Sequence, residues 1–201
     1  MNPEGLDLNR YAPVASAPPP ASVGWVVAAI VLFVLFIALS ATLAARWLPS
    51  AIEDDALLPR ASRPVRLLVL VTLVALLGVQ ALGAIDVFVQ TRIVYDDAGA
   101  YFAHLSLGRL VGTSHAHLFG YALLYGMVAL FACMSAAPPA WKRWLVAALC
   151  WAGPFDIASW WGMKYLTARF ELLSHATALA SVGASLATLL LVASAVRKAP
   201  A

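Results

Sequence analysis

Six ionisable side chains lie in or beside apolar stretches of this 201-residue sequence, where such groups are rare. They are His104, His115, His117, His175, Asp86 and Asp156. An ionisable group inside a lipid bilayer is costly unless it is paired or faces water, so residues of this kind are candidates for a functional site. Imidazole and carboxylate groups together can ligate a haem, bind a metal ion, accept protons or pass them on.

Four kinds of site can be built from this set. A b-type haem needs two imidazoles from neighbouring helices, and His117 and His175 supply that pair. A non-haem metal ion would instead draw its ligands from His115, His117, His175, Asp86 and Asp156. A quinol site uses a histidine and a carboxylate as proton acceptors, and a proton or solute path uses the same groups without a cofactor. Spacing alone does not choose among the four.

The cost of burial also predicts where these side chains point. We expect both aspartates, His117 and His175 to face the interior of a helix bundle. His115 and His117 are two positions apart, so on a regular helix they point about 160° away from each other and cannot share one small site. Of the two, His117 is the better interior candidate, because Gly120 leaves space beside it and Tyr121 adds a hydroxyl.

Composition indicates a membrane protein. Apolar residues make up 63% of the chain and charged residues 11%, which is too little charge for a water-facing surface. The net charge of +3 is scattered along loops, so no nucleic-acid partner is expected. Cys133 and Cys150 lie in apolar runs without a Cys-x-x-Cys pair, which argues against c-type haem, iron–sulfur clusters and disulfides.

The apolar runs predict an all-α transmembrane bundle over residues 23–198, after a flexible polar tail at 1–22 that contains three consecutive prolines. Thr113 is a plausible N-cap of the third span, and Pro138 and Pro139 separate the third span from the fourth. Five spans are predicted, at 23–45, 67–90, 113–137, 144–161 and 172–196.

Loop charges predict which end of each span is cytoplasmic. With the N-terminus outside and the C-terminus in the cytoplasm, eight lysines and arginines lie inside and five outside, as the preference for positive charge inside favours. All four histidines then lie toward the outer side, where Tyr121, Trp160 and Trp161 can flank a quinol ring. On the fifth span, Ser181 and Ser185 belong to a row of small residues that is typical of close helix packing.

Part of the chain resembles a family of small polytopic proteins of the bacterial inner membrane. The resemblance covers 94–175 and depends on Tyr95-Asp96-Asp97 with Phe102, on the run Ser114-His115-Ala116-His117-Leu118-Phe119, and on Asp156-Ile157-Ala158-Ser159 followed by Trp160. It implies a multi-pass inner-membrane protein in which these segments matter, and it implies no reaction. The His-x-His pair is also loosely similar to helix ends of respiratory oxidase subunits, but five spans and four histidines are too few for a complete oxidase.

The leading functional hypothesis is a membrane electron-transfer subunit. It would bind a haem or metal ion near the outer face and pass electrons between quinol and a periplasmic or membrane redox partner. Two alternatives stay open: a non-catalytic subunit that assembles or stabilises a larger membrane complex, and a small proton or solute transporter.

Overall fold

The structure is a computed structural model that describes residues 56–197 throughout and, before them, Ala28, 31–33, 35–36 and 39–40, all eight of them helical. The predicted tail at 1–22 and the rest of the first predicted span lie outside the described residues. The elements from residue 56 onward are α1 (Leu57–Arg60), α2 (Arg63–Phe88), a π-helical segment (Val89–Val94), α3 (Ala98–His104), α4 (Leu107–Met134), α5 (Pro139–Tyr165), a 3₁₀ turn (Ala168–Phe170) and α6 (Glu171–Arg197). No strand occurs among the residues described, so the all-α prediction is confirmed for them.

Three helical stretches are long and apolar enough to cross a membrane. They are Arg63–Val94, Leu107–Met134 and Ala168–Arg197. They contain the second and fifth predicted spans and most of the third, which was predicted to extend to residue 137. The fourth predicted span lies within α5, which has 27 residues but is less apolar than the other three and is not among those stretches. The chain thus has the helices of a membrane protein.

Local sequence explains where the long helices begin and end. The third span was predicted to start with Thr113 as its N-cap, but α4 begins about two turns earlier, because the side chain of Ser106 caps it by accepting a hydrogen bond from the amide of Arg109. The N-cap prediction at Thr113 is therefore wrong. The two prolines act as predicted: α4 ends at Met134, and α5 begins with Pro139 in its first turn, where a missing amide hydrogen costs nothing.

The segment between α2 and α4 is a compact turn with a short helix. Asp96 adopts a left-handed backbone conformation with φ of 66°, which aspartate tolerates better than most residues. Asp97 then caps α3, its carboxylate accepting a hydrogen bond from the amide of Ala100 at 2.7 Å. The two aspartates of the Tyr-Asp-Asp run thus have a structural explanation.

Two apolar clusters show that neighbouring long helices run antiparallel. The larger cluster joins the C-terminal halves of α4 and α6 to the N-terminal halves of α2 and α5. The smaller cluster joins α3 and the start of α4 to the end of α5, and Phe33 from the first predicted span packs against it. Tyr121 borders both clusters. The site residues predicted near the outer face lie at the end that holds the smaller cluster.

Helix α5 is the sheltered helix of the described bundle. It packs extensively against both α4 and α6 and also contacts α3, whereas only Arg66, Val69 and Leu73 are buried on α2. Two glycines of α5 permit this close packing. A β-carbon at Gly153 would lie 2.8 Å from that of Tyr121 on α4, and one at Gly162 would overlap the ring of Phe170.

We expect Gly162→Ala to destabilise the protein, because the Phe170 ring must move to admit the new methyl group. Overpacking of this kind costs about 1–3 kcal/mol. The matched control is Gly78→Ala on α2, where nothing lies within 4 Å of the added carbon. Thermal unfolding in detergent should show a lower midpoint for Gly162→Ala and little change for Gly78→Ala, and equal midpoints would contradict the packing described.

Candidate functional site

The carboxylate of Asp156 connects three helices. One oxygen accepts a hydrogen bond from the hydroxyl of Tyr121 on α4 at 2.7 Å, and the other accepts one from the hydroxyl of Ser174 on α6 at 2.6 Å. All three side chains are shielded from solvent over much of their surface. Each carboxylate oxygen retains further lone pairs, so the group can accept another hydrogen bond or a proton. We call these three residues the Asp156 site.

The sequence around Asp156 allows the helices to approach closely enough for these bonds. Gly153, one turn earlier on α5, leaves the space that the side chain of Tyr121 fills. Ser174 lies in the first turn of α6, directly after the 3₁₀ turn that redirects the chain. The three groups therefore meet because one helix lacks a side chain at the contact and another begins beside it.

His117 lies next to the Asp156 site with its ring orientation fixed. Its Nδ1 atom lies 2.9 Å from the carbonyl oxygen of Thr113, one turn back on α4. A carbonyl can only accept, so Nδ1 carries the hydrogen and Nε2 of the neutral ring keeps its lone pair. Among the residues described, none hydrogen-bonds to that Nε2, and the ring is near enough to Asp156 for the two to interact electrostatically.

Aromatic rings line the other side of His117. Its ring meets Trp160 edge-on at 4.9 Å between centroids, and Trp160 stacks on Phe102 of α3 at 5.6 Å. Tyr101 continues this layer by packing against Phe102 at 4.9 Å. Trp160 is only 6% exposed, so it is a core residue of this end and not a membrane-surface anchor. The layer gives the site a flat apolar wall.

A single lysine holds α3 against this wall. The ammonium of Lys164, at the end of α5, donates to the backbone carbonyls of Phe102, Ala103 and Leu105, at 3.3, 3.2 and 2.5 Å. These carbonyls belong to the last turn of α3 and the residue after it, where the helix carries its negative dipole end, and that of Phe102 also accepts a hydrogen bond from the amide of Leu105 at 3.3 Å. The charge of Lys164 thus stabilises the helix end and its attachment to α5.

The predicted site residues are only partly brought together. Asp156 is half-buried and hydrogen-bonded, and His117 lies beside it. Asp86, His115, His117 and His175 all have exposed side chains on the described bundle, so the expected interior positions of Asp86, His117 and His175 are not found. Asp86 lies near Tyr101, whose pKa is raised by burial and, to a smaller extent, by that carboxylate. No three histidine, cysteine, aspartate or glutamate side chains between residues 56 and 197 form a group that could hold a metal ion.

One residue of this region, Ser174, was not predicted from the sequence, and another, Trp161, has a different role from the predicted one. Ser174 was not singled out, because a serine at the start of an apolar helix is equally typical of a helix cap. Trp161 was expected to flank a quinol, but its indole nitrogen donates to the hydroxyl of Ser114 at 3.0 Å, which ties α5 to α4. The pairing of a serine with an aspartate 18 residues earlier has no sequence signature.

We expect Asp156→Ala to destabilise the bundle, because it leaves the Tyr121 and Ser174 hydroxyls without their acceptor. Hydrogen bonds between membrane helices contribute about 0.6 kcal/mol each on average, and more when charged, so we expect a loss of about 1–3 kcal/mol. Unfolding by a denaturing detergent would measure it. Asp86→Ala is the control, with an exposed carboxylate on α2. If both variants lost the same stability, the assigned role of Asp156 would be wrong.

Comparison of the chain with protein-family models, with curated proteins and with solved structures found no match.

Proposed function

We propose that this chain is a multi-pass protein of the bacterial inner membrane that crosses the bilayer five times, with its N-terminus outside. Three helices have the length and apolarity of membrane spans. Helix α5 is a further span in this proposal: its 27 residues extend about 40 Å, more than the roughly 30 Å of a bilayer core. Because α4 and α6 cover much of α5, that helix needs fewer apolar residues than a lipid-facing one.

The proposed function is the oxidation of a quinol beside the Asp156 site, as part of a membrane electron-transfer system. The observation that carries this proposal is a carboxylate beside an imidazole whose Nε2 lone pair is directed by the Nδ1 contact with Thr113. Oxidation of a quinol releases two protons and two electrons. In the proposed reaction, Nε2 of His117 accepts one proton and Asp156 the other, while the electrons pass singly to a periplasmic or membrane redox partner.

The aromatic wall supports a ring-shaped substrate. Trp160 and Phe102 stack on each other and are each only 6% exposed, so a quinol headgroup would contact the edge of this aromatic layer beside the exposed ring of His117, while its hydroxyls donate hydrogen bonds. Its isoprenoid tail would remain among the lipid chains. This places polar acceptors and an apolar surface side by side, as an amphipathic substrate requires.

We expect Asp156→Asn to weaken quinol binding about tenfold or more, because an amide is a poorer acceptor than a carboxylate and cannot take up a proton. A factor of ten corresponds to about 1.4 kcal/mol, within the range for a hydrogen bond to a charged group. Decylubiquinol can be titrated into protein in lipid nanodiscs, with quenching of tryptophan fluorescence as the readout. Asp86→Asn is the control of equal charge change and should bind as the unchanged protein does.

Undiminished binding by both Asp156→Asn and His117→Ala, with circular dichroism showing folded protein, would rule out this site for quinol. Loss of binding by Asp86→Asn as well would point to a general effect of charge and would also contradict the assignment.

Haem or metal binding at His117 is a second candidate, favoured by one specific observation. A histidine that ligates a metal commonly donates its other ring nitrogen to a carbonyl, which orients the ring as Thr113 orients His117. His175 would be the second ligand in the haem hypothesis, although its side chain is exposed on the described bundle.

Absorption spectra of oxidised and dithionite-reduced protein, with metal analysis, distinguish the two candidates. If a haem is bound, we expect a Soret band that His117→Ala abolishes and that His104→Ala, with a similar contact to its own helix, leaves in place. A colourless, metal-free and folded protein would eliminate this second candidate and leave the quinol proposal to the binding assay.

A further inference from the structure

A second group of polar side chains lies deeper in the bundle than Asp156, between α2, α4 and α6. It consists of Gln80, Tyr125, Ser181 and Ser185, which we call the mid-bundle cluster. The hydroxyl of Tyr125 lies within hydrogen-bonding reach of both Ser181 and Gln80. Tyr125 is 9% exposed, Ser181 2% and Ser185 0%. Four polar residues from three helices thus meet where an apolar core is expected.

Several atoms of this cluster are buried without a well-formed hydrogen bond. In the described part of the chain, Nε2 and Oε1 of Gln80 and Oγ of Ser185 are shielded from solvent and have no partner of good geometry, although the Gln80 amide approaches Tyr125. A buried polar group without a partner costs free energy, and apolar residues of similar size would avoid that cost. Native structures normally satisfy such groups, and internal water is the usual means.

The donors and acceptors of the cluster match the needs of water. An internal water molecule makes about two to four hydrogen bonds to polar groups that otherwise lack partners. The Gln80 amide offers one donor group and one acceptor, and the Ser185 and Tyr125 hydroxyls can each do both. The cluster is uncharged, which suits a neutral ligand that both donates and accepts.

The mid-bundle cluster is adjacent to the Asp156 site. The ring of Tyr125 stacks on that of Tyr121 at 5.1 Å with an angle of 12°, and the hydroxyl of Tyr121 holds Asp156. On α6, Ser174 and Ser185 are eleven positions apart, about 16 Å along the axis, which is half the thickness of a bilayer core. Further along the same helices, Val128 is 1% exposed and Val192 0%, so apolar packing closes the bundle beyond the cluster.

We propose that the mid-bundle cluster binds water and that this water extends the Asp156 site inward to about half the depth of the membrane. The water provides the missing partners of Gln80 and Ser185. It also forms a hydrogen-bonded branch that ends at the apolar packing and brings exchangeable protons toward the Tyr121–Asp156 pair. This inference does not depend on quinol being the substrate, because it is based on unpaired atoms outside the quinol proposal.

Radiolytic hydroxyl-radical footprinting in lipid nanodiscs tests the inference, because it oxidises side chains that lie beside bound water even when they are buried. After correction for intrinsic reactivity, we expect Tyr125 to be labelled several-fold faster than Phe131. Phe131 is similarly buried, at 7% exposed, in apolar surroundings on the same helix. Equal labelling of the two rings would mean that the cluster is dry and would overturn the proposal.

The double variant Gln80→Leu with Ser185→Ala removes the unpaired atoms, so it should lower Tyr125 labelling several-fold without changing Phe131. Ser194→Ala is the matched control, an exposed serine of the same helix. Undiminished Tyr125 labelling in the folded double variant would contradict the proposal. If the double variant does not fold, Ser185→Ala alone provides the same comparison with the loss of one oxygen atom.

A dry cluster also predicts that Gln80→Leu raises the unfolding midpoint, whereas bound water predicts that it does not.

Discussion

The need to provide partners for one carboxylate constrains the way these helices meet. Asp156 lies on a helix flanked by two apolar helices, so its carboxylate needs hydrogen-bond donors from its neighbours. Hydroxyls from α4 and α6 fill that role, one on each carboxylate oxygen. The arrangement requires Tyr121 to lie against Gly153 and α6 to begin beside the second half of α5. The positions of three helices are thus coupled to the solvation of one side chain.

The more polar a long helix is, the more of its surface the other helices cover. α2, the most apolar of the candidate spans, has the most exposed surface, whereas α5, which carries Asp156 and Lys164, is the best covered. A lipid-facing helix must be apolar on nearly every side, but a helix enclosed by others can carry polar groups if the neighbours supply partners. Polar residues in a membrane helix are therefore a sign that the helix lies centrally in the bundle. Helix α5 can be less apolar than the others because its neighbours cover it.

Much of the architecture was accessible from the sequence, and the failures have physical causes. Apolar runs and prolines correctly located the long helices after residue 56, because length and proline chemistry leave few alternatives. The start of α4 was placed too late, since Thr113 and Ser106 are both competent caps and only packing selects between them. Asp156, His117 and Tyr121 were recognised because charge and aromatic hydroxyls are rare in apolar stretches. The exposed positions of Asp86, His117 and His175 and the role of Ser174 were not foreseen, because the rotation of each helix about its axis is set by tertiary contacts.

The attachment of α3 by Lys164 has a consequence for the order in which the chain takes shape. A helix of seven residues is too short to be stable alone, and its last carbonyls find their cation 59 residues later than Leu105 in the chain. During synthesis, α3 emerges before the helix that stabilises it exists. The segment between α2 and α4 therefore acquires its final form only after α5 has formed, so the aromatic wall beside His117 is completed late in biogenesis.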